Sequence, residues 1–198
     1  MGTGSRCEWS RNSNDNIDSE VSRNMNWLTG RRLPRWTGIV VPIAAFPAVH
    51  AVLPWGLSLL GARHGWAGGR PGISNLVGLI PVAAGFCIFF LCSREHFIAA
   101  PDGWLLEPTR YYPTPSYLLT GGPYRYSRNP IYLAELVIWL GWLALYGSIA
   151  IASVFAVMAM LLGPVIVPRE ERGLEVRFGG LYLEYRRTTP RWLGKPRR

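Results

Sequence analysis

The chain has 198 residues, a formal net charge of +9, and 49% hydrophobic residues gathered into long uncharged runs. Residues 36–62 and 71–93 contain no Asp, Glu, Lys or Arg. Each run exceeds the roughly 20 residues a helix needs to cross a bilayer's hydrocarbon core, which excludes an ordinary water-soluble domain. Nor does the charge read as nucleic-acid binding. Six basic residues precede Trp36 and nine follow Pro168, a positive-inside distribution that also attracts anionic inner-leaflet lipid.

Residues 1–35 are polar, rich in Ser and Asn, and predict a disordered tail. No short apolar run with a small-residue cleavage site precedes the first span, so no removable signal peptide is expected. The first span covers about residues 38–60, interrupted by Pro42, Pro47 and Pro54, which predicts a kinked helix. His50 lies near its middle. It is either an intramembrane functional group or an imidazole bonded to a carbonyl vacated by Pro47 or Pro54. The second span covers about residues 73–91, and Arg94, Glu95 and His96 mark its exit. Cys87 and Cys92 fall on different faces of it. With Cys7 and three scattered histidines they form no metal-binding or disulfide pattern.

Residues 94–129 form the longest polar connection. Trp104, Tyr111, Tyr112 and Tyr117 in it suit the headgroup layer. It ends in LLTGGPYRYSRNPIY, residues 118–132. Gly121-Gly122-Pro123 signals a turn, and Asn129-Pro130 signals a helix start with Asn as N-cap and Pro at the first helical position.

From Asn129 to Pro168 the only charge is Glu135. Forty helical residues would extend about 60 Å, twice a hydrocarbon core. Gly147-Ser148 near the centre therefore predicts a helical hairpin, about 130–146 out and 149–167 back, with Gly163-Pro164 kinking the return. That return brings Glu170 and Glu171 to the depth of Tyr124, Arg128 and Asn129. Beyond Pro168, a helix over about 169–178, a break at Gly179-Gly180 and a second short helix are expected at the membrane surface. The expected fold is an all-α integral membrane protein of about four spans with cytoplasmic termini. Residues 36–198 form its single domain, and 118–193 form the core of the site.

Two blocks carry a resemblance. The first is Gly122-Pro-Tyr124 followed by Arg128-Asn129-Pro130-Ile131-Tyr132. The second is Glu170-Glu171-x-x-Leu174-x-x-x-Phe178-Gly179-x-x-Tyr182-x-x-Tyr185, with Pro190-Arg191 after it. In this order, around an apolar hairpin, they resemble the isoprenylcysteine carboxyl methyltransferase and phospholipid N-methyltransferase superfamily. Asn129 stands where that superfamily usually has His, and Ala134 where it commonly has Gly.

The resemblance implies S-adenosylmethionine held between the blocks, its methyl group facing a lipophilic acceptor that arrives through the bilayer. Carried onto this chain, it implies cofactor contacts from Gly122, Tyr124, Asn129, Tyr132, Glu170 and Glu171. Arg128 would organise the site or orient an anionic substrate group. Glu135 either takes a proton from an amine acceptor or bonds a neighbouring helix or Arg128. No metal and no nucleic acid are expected. The rival readings are an NADPH-dependent sterol-type reductase, whose C-terminal block is similar, and a non-enzymatic membrane scaffold.

Overall fold

Apolar residues that exclude water leave the backbone to satisfy its own hydrogen bonds, and helices are the local solution. A computed structural model describes residues 31–33, 45–46, 48–99, 104–106 and 117–195. Pro42, Pro47, Tyr111, Tyr112 and most of the predicted tail lie outside the described residues. Of that tail, Arg31–Leu33 is a strand (β1), not coil, and pairs antiparallel with Trp104–Leu106.

In the first predicted span, a π-turn at Ala48–Val52 leads into α1, Leu53–Ser58. A tight hairpin follows, Trp66–Ala67 (β2) paired with Arg70–Pro71 (β3). Gly68 and Gly69 turn it with φ of 56° and 75°, the left-handed pair that a two-residue hairpin loop requires. Next come α2, Ile73–Leu76, and α3, Leu79–Ala99; Ile73–Ala99 together is long and apolar enough to cross a membrane. The strand Trp104–Leu106 is β4.

The predicted hairpin is present. Its outgoing arm is α4, Pro130–Tyr146, and Gly147 ends that arm in the left-handed conformation (φ 57°). The return begins with α5, Ile149–Leu161, and passes through a π-segment at Leu162–Ile166, where Gly163 and Pro164 interrupt the regular ladder. It continues as α6, Val167–Phe178. The whole stretch Ile149–Phe178 is the second helix of membrane-crossing length among the described residues. Gly179 (φ 52°) breaks the chain before α7, Gly180–Thr188.

The C-terminal end of α4 is capped by side chains from residues 66–75. Trp66 donates its indole N–H to the Leu145 carbonyl at 2.9 Å. Asn75 donates to the carbonyls of His64, Ala144 and Leu145. The terminal carbonyls of α4, which no later turn can satisfy, are thereby bonded.

Helices α3 and α4 form the principal contact, and small residues allow it. A Cβ added at Gly85 would lie 2.5 Å from the Ile138 side chain and 2.9 Å from the Ala134 carbonyl oxygen. One at Gly141 would lie 2.6 Å from the Val82 side chain. Backbones this close gain dispersion contact where lipid offers no hydrophobic drive to association. The substitution of Ala134 for the common Gly is accommodated here, because Gly85 stands opposite it. Gly85→Leu is therefore expected to destabilise the protein by about 1–3 kcal/mol, read as a lower melting temperature in detergent. Gly56→Ala, with nothing within 4 Å of the added atom, serves as control and keeps the wild-type melt. Equal melting of the two variants would refute the close-packed interface.

Candidate functional site

At the other end of α4, residues 117–129 approach as a loop. Gly122–Arg125 forms a 3-10 turn, entered through Gly122 at φ 54°. A side chain at Gly122 would strike Glu95 of α3, so the turn needs glycine for space as well as conformation. The turn buries Tyr124, and Tyr185 of α7 donates its hydroxyl to the Tyr124 carbonyl at 2.7 Å.

Residues 189–194 strap across this loop by backbone bonds. The Arg128 amide donates to the Pro190 carbonyl at 2.9 Å, and the Gly194 amide donates to the Tyr126 carbonyl at 3.1 Å. Ser127 accepts the Asn129 amide at 3.0 Å and donates its hydroxyl to the Arg191 carbonyl at 3.3 Å.

Asn129 precedes the helix as expected but does not cap it with its side chain. Its amide donates instead to the Arg191 carbonyl at 3.0 Å and to the Glu171 carboxylate at 3.4 Å. Holding its NH2 on these two acceptors orients the side chain, and its Oδ1 makes no cap bond to the helix's own amides. The first-turn amides of α4 thus lack the side-chain cap that sequence predicted.

The two adjacent glutamates part company. Successive helical residues project about 100° apart, and α6 uses that difference. Glu171 is 5% exposed and binds Arg191 through Nε at 3.2 Å and a terminal nitrogen at 2.7 Å. It also pairs with Arg128 at 3.1 Å. The bond to Glu171 lifts Arg191 above the usual guanidinium pKa. Glu170 is exposed and accepts the Tyr132 hydroxyl at 2.6 Å. The two glutamates, both expected to contact a cofactor, have different surroundings. Glu170 faces a cleft, whereas Glu171 is committed to a buried ion network.

That cleft, of about 140 Å³, is lined by His96, Tyr124, Arg128, Asn129, Tyr132, Glu170 and Tyr185, with apolar walls from Leu118, Leu119, Ile131 and Leu174. Five predicted site residues meet there: Tyr124, Arg128, Asn129, Tyr132 and Glu170. Gly122, Glu135 and Glu171 are not in its wall. Arg128 also donates to the Arg186 carbonyl at 3.3 Å, yet its buried Nε has no partner among the described residues. Burial pushes the Tyr124 and Tyr185 hydroxyls well above the ordinary phenol range, and Tyr182 and Tyr117 up to about 12. All four remain protonated hydrogen-bond donors at physiological pH.

Glu135 bonds a neighbouring helix, one of the two roles left open for it. Its carboxylate is 2.7 Å from Nε2 of His50. The other nitrogen, Nδ1, is 3.1 Å from the Phe46 carbonyl, not a carbonyl vacated by Pro47 or Pro54. A carbonyl only accepts, so this network assigns a proton to Nδ1.

Sequence reasoning passed over His96. It lies one helical turn after Cys92, which is wholly buried. His96 shares the phase of Cys92, but the sequence alone did not say which face of α3 is turned inward.

The family model described as phospholipid methyltransferase matches residues 77–180. The cobalt-zinc-cadmium resistance protein CzcN of Cupriavidus metallidurans is 37% identical over 73 residues, covering 37% of this chain and 33% of that protein. The chain thus matches about a third of that relative's length. No solved structure matches. The family match takes in α3, the Arg128–Tyr132 block, the whole hairpin and the glutamate pair, more than half of the sequence, and the chain therefore belongs to the phospholipid methyltransferase family, within the superfamily of membrane methyltransferases that its two blocks resemble.

Proposed function

We propose that this protein transfers a methyl group from S-adenosylmethionine to a lipophilic acceptor that reaches the cleft from the bilayer. The observation that carries this reading is the cleft's position. It lies at the polar end of an apolar hairpin, where Arg128 and Tyr132 on one arm meet Glu170 on the other. The chain sits in the membrane with both termini cytoplasmic in this reading, and α6 and α7 lie at the inner surface.

The residues present fit the cofactor's chemistry. The Arg128 guanidinium, which lines the cleft, and the uncapped start of α4 suit its carboxylate, since helix N-termini favour anions. Glu170 suits a ribose diol or an ammonium group. The tyrosine faces suit a sulfonium by cation–π attraction. When bound, the cofactor supplies an electrophilic methyl carbon. The protein's own task is then to align donor and acceptor and to exclude water, which contributes much of the acceleration in a displacement reaction.

Incubation with methyl-tritiated S-adenosylmethionine and a lipid extract is expected to give a labelled lipid, whose structure names the acceptor. Glu170→Gln should weaken cofactor binding about tenfold or more, the loss of one charge-assisted bond, with little change in melting because Glu170 is exposed. Wild-type binding by Glu170→Gln, together with no labelled product in any lipid fraction, would overturn the reading.

A further inference from the structure

We infer that His96 is a positioning residue for the cleft: it takes the hydroxyl proton of Tyr124 in a hydrogen bond and so leaves the Tyr124 oxygen as an acceptor toward the ligand. This rests on the methyl-donor reading above and deepens it, by stating which end of the donor lies where.

The Tyr117 hydroxyl lies 3.1 Å from the backbone carbonyl of His96 and 3.5 Å from its Nδ1. A hydroxyl has one proton, and the carbonyl can only accept it. The Tyr117 oxygen is left to accept from Nδ1, and the imidazole proton is assigned there on that basis. In the neutral ring Nε2 is then a bare acceptor. It lies 2.9 Å from the Tyr124 hydroxyl, so Tyr124 donates to it. Tyr124 and His96 both line the cleft.

A phenol whose proton is directed at His96 offers only lone pairs to anything else. The group it meets in the cleft must be a hydrogen-bond donor or a cation. The donor's ammonium, its ribose hydroxyls and its sulfonium qualify; its carboxylate does not. Anionic and cationic ends of the ligand are thereby sorted, the carboxylate toward Arg128 and the start of α4, the positive part toward Tyr124 and Glu170. With His96 replaced by an apolar ring, the Tyr124 proton is free to rotate into the cleft and the preference is lost.

A double-mutant cycle on S-adenosylmethionine affinity, measured by calorimetry on the detergent-solubilised full chain, tests this. Tyr124→Phe and His96→Phe should each weaken binding about three- to tenfold, the scale of one neutral hydrogen bond. The double variant should be no weaker than Tyr124→Phe alone, because His96 acts through the hydroxyl already removed. His96→Gln, whose carbonyl can accept the same proton, should restore binding to within about twofold of wild type, a rescue that packing alone would not give. Additive losses in the double variant, or no rescue by Gln, would overturn the inference while wild-type binding leaves the methyl-donor reading in place. Absence of binding by the wild type would overturn both.

Discussion

Glu171→Ala is expected to lower the melting temperature of the solubilised protein further than removal of any other carboxylate described. The side chain of Arg128 is 9% exposed, and without Glu171 its charge stays buried with no anionic partner among the described residues. Breaking a buried ion pair from one side costs about 3–5 kcal/mol. Arg191 adds less, since its side chain is 46% exposed and can turn to water. Replacing both charges, Glu171→Leu with Arg128→Met, should recover most of the lost stability, because no uncompensated ion remains. A Glu171→Ala melt within a degree or two of wild type would show that the network does not hold α6 against the Arg128 loop.

Arg128→Ala is expected to cause the largest loss of methyl transfer. The residue joins α6 to the start of α4 through Glu171 and lines the cleft. A hydrogen bond to a charged group contributes about 1.5–3 kcal/mol, and each 1.36 kcal/mol is tenfold in rate. The combined loss in kcat/KM should be on the order of 100-fold or more. Arg128→Lys should recover little, because an ammonium lacks the planar fork that serves two partners at once. The Arg128→Met, Glu171→Leu double variant separates the causes: folded but inactive is the expected result. A single Ala variant that retains a third of the wild-type rate would remove Arg128 from the site.

The architecture was legible wherever one residue type dictates a local outcome. Pro130 and Gly147 mark the ends of α4 because a missing amide and a left-handed residue each stop a helix. Gly179 marks the break before α7 for the same reason. The meeting of the Arg128 loop with the glutamate pair followed from hairpin length alone. What stayed illegible depends on helix phase and on long-range neighbours. Which of Glu170 and Glu171 faces the cleft is a 100° question, settled by where Arg128 and Arg191 stand. The bonding of Asn129 depends on residues about sixty positions away. An imidazole N–H could donate in the same direction, which gives a physical sense to finding His at this position in related sequences. His96 and the His50–Glu135 couple were missed because each bond links separate elements, the latter across 85 positions.

The strap over the Arg128 loop has a consequence in time. The hairpin's contacts are local and close early, whereas the bond from Asn129 to the Arg191 carbonyl joins residues 62 positions apart. At about 5–20 residues per second of synthesis, roughly 3–12 seconds separate the emergence of the two partners. During that interval the hairpin can enter the bilayer while the loop has no strap and Glu171 lacks its bidentate arginine. The nascent protein therefore passes through an inserted but ligand-incompetent stage. Its cleft is completed last, after the membrane has already accepted the helices.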